Sequence, residues 1–122
     1  MKQLAIFNVT RNQLDNIFEK GHKGIPVSDM VDKAIDLDGF ALYKTDDGDL
    51  TIKIVDKDGR DYFTYSQVFI KNLMEYLKTV DDNDFPTTIH VTSEKSKKGG
   101  KTYYSIKEAI NSNSTDWRSL TF

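Results

Sequence analysis

Two acidic glycine turns, Asp46-Asp47-Gly48-Asp49 and Asp56-Lys57-Asp58-Gly59, constrain this chain more than anything else in it. Asp and Gly supply the backbone conformations that tight turns demand, and each turn here is flanked by runs of β-favouring residues. Leu37 to Lys44 alternates in part, with Phe40 and Leu42 on one face and Ala41 and Tyr43 on the other. Leu50 to Val55 places Ile52 and Ile54 inward, and Asp61 to Tyr65 is an aromatic third run. Strands joined by turns this short must be neighbours, so the middle of the chain reads as a three-stranded meander.

Elements on either side extend the pattern. Residues 3 to 9 read as a strand, and Thr10 with Gln13 forms a capping box that opens a helix through about Lys20. Gly21 and Gly24 stop that helix, and His22 to Val27, carrying Gly24 and Pro26, reads as an irregular connector. After the meander, Ser66 caps a helix to about Thr79, with Phe69, Leu73, Tyr76, Leu77 and Val80 recurring on one side. The acidic stretch Asp81-Asp82-Asn83-Asp84 before Phe85-Pro86 closes it. Thr87 to Thr92 and Thr102 to Lys107 then form a final hairpin.

From residue 36 to 108 the order is therefore three strands, a helix and two strands. The expected fold class is mainly β with two helices: a five-stranded, OB-fold-like barrel over 36–108 with an N-terminal strand-helix extension over 1–35. A polar tail over 111–122 ends in Trp117, Leu120 and Phe122. The same order of elements also suits an α+β sandwich. A chain of 122 residues is the size of one domain.

The final hairpin carries the chemistry. Lys95, Lys97, Lys98 and Lys101 surround Gly99-Gly100, and Tyr103-Tyr104 follow at once. Ammonium groups attract phosphates, and tyrosine rings give unstacked bases a face to lie on, so this mixture suits a single-stranded nucleic acid. The bland reading of such a lysine run is a solvated turn. Alternation sends the two tyrosines to opposite faces, and Tyr104 shares its parity with Ile106, which leaves Tyr103 as the exposed ring. In the meander, alternation likewise forbids Tyr62 and Phe63 from both being buried in a half-exposed strand, so one of them joins Tyr43 as a stacking candidate. Arg60, Lys44 and Lys53 are the phosphate partners expected on neighbouring strands.

Charge narrows the reading. The formal net charge is -2, with acids gathered in the turns and lysines in the hairpin, giving one attractive face on an otherwise repulsive molecule. The carboxylates of Asp56 to Asp61 lack the late glycine and the closing glutamate of a calcium loop, so no metal is expected. His22 and His90 have no nucleophile motif near them, and no catalytic constellation or cofactor motif argues for an enzyme. The chain has no cysteine, so its stability is expected to come from packing rather than from disulfides. No apolar run approaches the ~20 residues of a membrane span, and residues 1 to 8 lack a signal-peptide core. The expected location is the cytoplasm, without a membrane partner.

Three segments carry a family resemblance: Asp38-Gly39-Phe40-Ala41-Leu42-Tyr43-Lys44, Asp58-Gly59-Arg60-Asp61-Tyr62-Phe63, and Ser96-Lys97-Lys98-Gly99-Gly100-Lys101-Thr102-Tyr103-Tyr104-Ser105. With the helix between them, they resemble the single-stranded DNA-binding proteins of tailed bacteriophages of Gram-positive hosts. The resemblance implies sequence-tolerant coating of displaced strands during DNA replication or recombination. On that reading, Lys95, Lys97, Lys98, Lys101 and Arg60 grip phosphates while Tyr103 and one or more of Tyr43, Tyr62 and Phe63 stack on bases. It also implies replication or recombination proteins docking at the C-terminal tail, although the tail from Asp116 to Phe122 has one acid and one base where such proteins often have an acidic run. Edge strands of an open barrel could pair between subunits, giving a homo-oligomer. The competing reading is a small protein-interaction module, such as a phage-encoded inhibitor of a host enzyme, whose acidic faces mimic DNA.

Overall fold

The structure, a computed structural model, describes residues 2–95 and 102–106, with side chains through residue 92. Its elements are β1 (Lys2–Phe7), α1 (Arg11–Ile17), β2 (Ile25–Pro26), β3 (Ala34–Lys44), β4 (Leu50–Asp56), β5 (Asp61–Thr64), α2 (Gln67–Leu77), β6 (Thr87–Lys95) and β7 (Thr102–Ile106). The meander, both helices and the final strand pair stand within a few residues of the positions expected from the sequence. Lys97, Lys98 and Lys101, and the tail from 111 to 122, lie outside the described residues.

The sheet is organised around β3. Its first half pairs antiparallel with β6, from Ala34 opposite His90 to Leu37 opposite Thr87. Its second half is flanked on both sides, by β4 and by β1. The hand-over falls at Gly39, where the β3–β4 register shifts. A Cβ on Gly39 would run into the backbone of Phe7 and Asn8, so the missing side chain is what lets the end of β1 lie against β3.

The N-terminal strand and helix expected over residues 1–35 are present, and β1 is an integral strand of the sheet, laddered to β3. The linear strand order is β2-β5-β4-β3-β6-β7, with β1 attached to β3. Among the described residues this sheet is open: no ladder joins β7 to β5, and the expected five-stranded barrel is not seen. The sheet is mixed, because β2 pairs parallel with β5 through Ile25 opposite Tyr62 and Pro26 opposite Phe63.

Alternation decides which face meets α2. Phe40 and Leu42 on β3, Ile52 and Ile54 on β4 and Tyr62 on β5 pack with Phe69, Ile70, Leu73, Met74 and Leu77 of the helix in one continuous core. Ser66 caps α2 by accepting from the Phe69 N–H. Each of these buried side chains contributes roughly 1.5–3 kcal/mol of hydrophobic stabilisation before the entropy cost of folding is counted.

The opposite face is partly covered by α1. The capping box is present: the Gln13 N–H donates to Thr10 Oγ1 and the Thr10 N–H donates to Gln13 Oε1. The helix ends at Ile17 rather than near Lys20, because Lys53 Nζ on β4 takes the Ile17 carbonyl at 2.7 Å and Gly21 then reverses the chain at φ +87. Ile17, Ala41 and Val55 are buried yet stand apart from the core under α2. The meander thus carries α2 on one face and partial cover from α1 on the other.

Candidate functional site

The face under α1 brings rings and cations together. Tyr43 on β3, Lys53 on β4 and Phe63 on β5 all alternate outward from the α2 core, and Lys53 stands directly opposite Phe63. Phe18, just past α1, meets Tyr43 edge to face with centroids 4.9 Å apart. Lys53 Nζ lies 4.8 Å from the centre of the Phe18 ring. Partial burial raises the Tyr43 phenol above its ordinary pKa.

Beyond the end of α1 the cover stops and a groove of about 440 Å³ opens. One wall is the connector, through His22, Lys23, Gly24 and Pro26; the other is Lys53, Phe63 and Tyr65. A second hollow of about 220 Å³ continues past Pro26, Phe63 and Tyr65 toward Ser66. The Phe63 and Tyr65 rings lie 5.7 Å apart and are tilted by 58°. Tyr65 is 66% exposed, the most solvent-exposed large hydrophobic side chain among the described residues.

Three local features hold the connector wall in place. His22 Nε2 meets both carboxylate oxygens of Asp61 at 2.9 Å. Gly24 passes so close to Asp61 that a Cβ would lie 2.5 Å from its Oδ2. Ile25 and Pro26 then join β5 as a short parallel strand. The groove's lining contains no carboxylate, and Lys23 makes no ion pair among the described residues.

The expected site residues divide under this geometry. Tyr43 and Phe63 reach the outer face, as alternation required. Tyr62 does not: its ring is 3% exposed on the α2 side and its hydroxyl donates to Asp56 Oδ2 at 2.7 Å, so it has no free face for a base. Arg60 is exposed but already held, with Nε 3.0 Å from Asp56 and a terminal nitrogen 3.1 Å from Asp58. Two carboxylates around one guanidinium repel a phosphate, which corrects its assignment as a phosphate grip. Lys95 ends β6 opposite Thr102, and Tyr103 stands opposite Glu94 in the β6–β7 ladder.

Asp56 explains why those two candidates are spent on structure. Its carboxylate is 4% exposed and accepts from the Asp58 and Arg60 N–H groups, the Arg60 guanidinium and the Tyr62 hydroxyl. Burial pushes the group up, but these donors outweigh it and leave the pKa below the ordinary carboxylate value. Burial and the adjacent carboxylate push Tyr62 up to about 12. The turn that resembled half a calcium loop thus uses its central carboxylate to fold itself.

Sequence reasoning missed Phe18, His22 and Lys23 as members of this face. Tyr65 was readable in part, since it continues the parity of Phe63. His22 and Lys23 depend on a contact between the connector and β5, and Phe18 on the docking of the end of α1 against β3 and β4, neither of which any local pattern announces. Comparison of the chain with protein-family models, with curated proteins and with solved structures finds no match.

Proposed function

We propose that this protein binds single-stranded DNA, holding bases on the outer face of the meander and phosphates on the adjoining cations and the lysine hairpin. The observation that carries the reading is the adjacency of Phe63 and Tyr65, half-buried and exposed respectively, to Lys53 and Lys23 in one groove, whose neighbouring carboxylate, Asp61, is engaged by His22. Stacking on aromatic rings tolerates any base, and cations beside the rings follow the backbone. On this reading Lys95, Lys97, Lys98 and Lys101 supply further phosphate contacts, Tyr103 offers a further ring, and the C-terminal tail recruits replication or recombination proteins.

The test is a fluorescence titration with an oligonucleotide of about 20 nucleotides, single-stranded and duplex side by side. The expected result is preferential single-strand binding, weakening with salt at a slope of about −0.7 in log K per phosphate contact. Replacing the four hairpin lysines with glutamine should flatten that slope. Absence of single-strand binding at low salt, or binding indifferent to salt, rejects the proposal.

A further inference from the structure

We infer that the groove between the connector and β5 is a subsite for a single unpaired nucleotide, with its base against Tyr65 and its phosphate at Lys23. This rests on the single-strand reading above and deepens it by assigning a binding role to the N-terminal segment. A volume of about 440 Å³ lies within the range of small-molecule sites. It holds one nucleotide rather than a duplex, whose stacked bases present no free face to a ring.

The two walls supply different parts of such a ligand. Tyr65 is a large ring left two-thirds in solvent at the end of a strand whose preceding residues are otherwise buried or half-buried. Its neighbour Phe63 backs it at 5.7 Å, and the tilt between the rings leaves a wedge rather than a closed stack. The facing wall carries Lys23, exposed and without an ion pair among the described residues, beside His22.

The connector wall is held before any ligand arrives. Asp61 grips His22, Gly24 closes against Asp61, and Ile25 and Pro26 are laddered to Tyr62 and Phe63. A wall fixed in advance loses little conformational freedom on binding, so the contacts it makes are not offset by ordering cost. The one carboxylate in reach, Asp61, is occupied by His22. Lys23, without an ion pair among the described residues and set beside an open ring, matches a phosphate and a base on one backbone repeat. An extended peptide would satisfy the rings and leave Lys23 unanswered.

The test compares the full-length protein with Tyr65→Ala, Tyr65→Phe and Lys23→Gln, using an oligothymidylate of about 20 nucleotides in which single positions carry photoreactive 5-iododeoxyuridine. Tyr65→Ala should bind about 5- to 150-fold more weakly, and Tyr65→Phe should recover most of the loss, because the ring is what stacks. Lys23→Gln should lower the salt slope by about 0.7, one phosphate contact. Wild-type crosslinks should map to Tyr65 or Phe63. Because Tyr65 and Lys23 are exposed, circular dichroism should show all three variants folded. If the wild type binds the strand while Tyr65→Ala and Lys23→Gln bind equally well and the crosslinks fall elsewhere, the subsite is overturned and the general reading stands. If the wild type does not bind at all, both are overturned.

Discussion

Replacing Tyr62 with phenylalanine removes one oxygen from the polar cluster around the Asp56 carboxylate, and its effect can be worked out in advance. The ring stays, so packing against α2 is kept; what is lost is the 2.7 Å hydrogen bond to Asp56. The Asp56 carboxylate is almost wholly buried and retains three N–H donors, so it stays ionised but less well satisfied. A hydrogen bond to a charged group contributes about 1.5–3 kcal/mol, which puts the expected loss near 2 kcal/mol. At this chain length that corresponds to a fall in Tm of about 8 °C.

The pH dependence gives the prediction its sign. Asp56 has a folded-state pKa below the ordinary value of 3.8. Its contribution is therefore fully present above that value and is lost as pH falls through the lower folded one. The gap between wild type and Tyr62→Phe in urea denaturation should be full at pH 7 and narrow to below about 1 kcal/mol under strongly acid conditions, where only a neutral hydrogen bond remains. Tyr62 behaves in the opposite sense. Its pKa is raised from 10.0 to about 12, so its contribution is present below the unfolded value and is lost as pH rises through the folded one. Ultraviolet titration should show one late-ionising tyrosine in the wild type that is missing from the variant. A variant within about 0.5 kcal/mol of wild type at pH 7, or a gap of equal size in acid, would refute the reasoning.

Two further substitutions probe how the N-terminal segment is attached. Gly39→Ala puts a methyl 2.7 Å from the Phe7 carbonyl oxygen, against backbone that cannot rotate away. It should cost about 3 kcal/mol, with amide exchange accelerating first across the β1–β3 ladder. Thr10→Ala removes the side-chain half of the capping box on a helix of seven residues, too short to stand without its cap and its packing. The expected loss is about 1 kcal/mol, read as faster exchange in α1 while the α2 amides keep their protection.

The turns and the periodic runs made most of the fold legible. Gly48 and Gly59 take positive φ where the acidic turns required it, and both helix caps are made by the residues that announced them. Phe40, Leu42, Ile52 and Ile54 are fully buried on the face that alternation assigned. What the chain did not disclose was pairing between distant segments. β2 is two residues long and parallel to β5, a ladder too short to leave a period, and β1 joins β3 through a gap left by an absent Cβ. Tyr62 was misassigned for a related reason. Period-2 patterning separates Tyr62 from Phe63 without saying which face is covered, and the answer lay with Asp56, whose carboxylate needed the hydroxyl.

Lys53 shows how the candidate site arose from this same gap between polarity and exposure. On β4 it alternates with Ile52 and Ile54, and alternation alone would send a lysine to open solvent. Instead its ammonium donates to the carbonyl of Ile17 and lies 4.8 Å from the centre of the Phe18 ring, so a polar position on the outer face became the dock for α1. A helix that ends on Lys53 covers β3 and β4 and stops short of β5. The uncovered strip is Phe63 and Tyr65, and the chain leaving α1 must cross beside it to reach β2. The connector and Lys23 therefore face the two rings as a consequence of where the helix is pinned. A substitution such as Lys53→Met, which keeps the stem and removes the cap, should loosen the end of α1 and the groove together, whereas Tyr65→Ala should affect the groove alone.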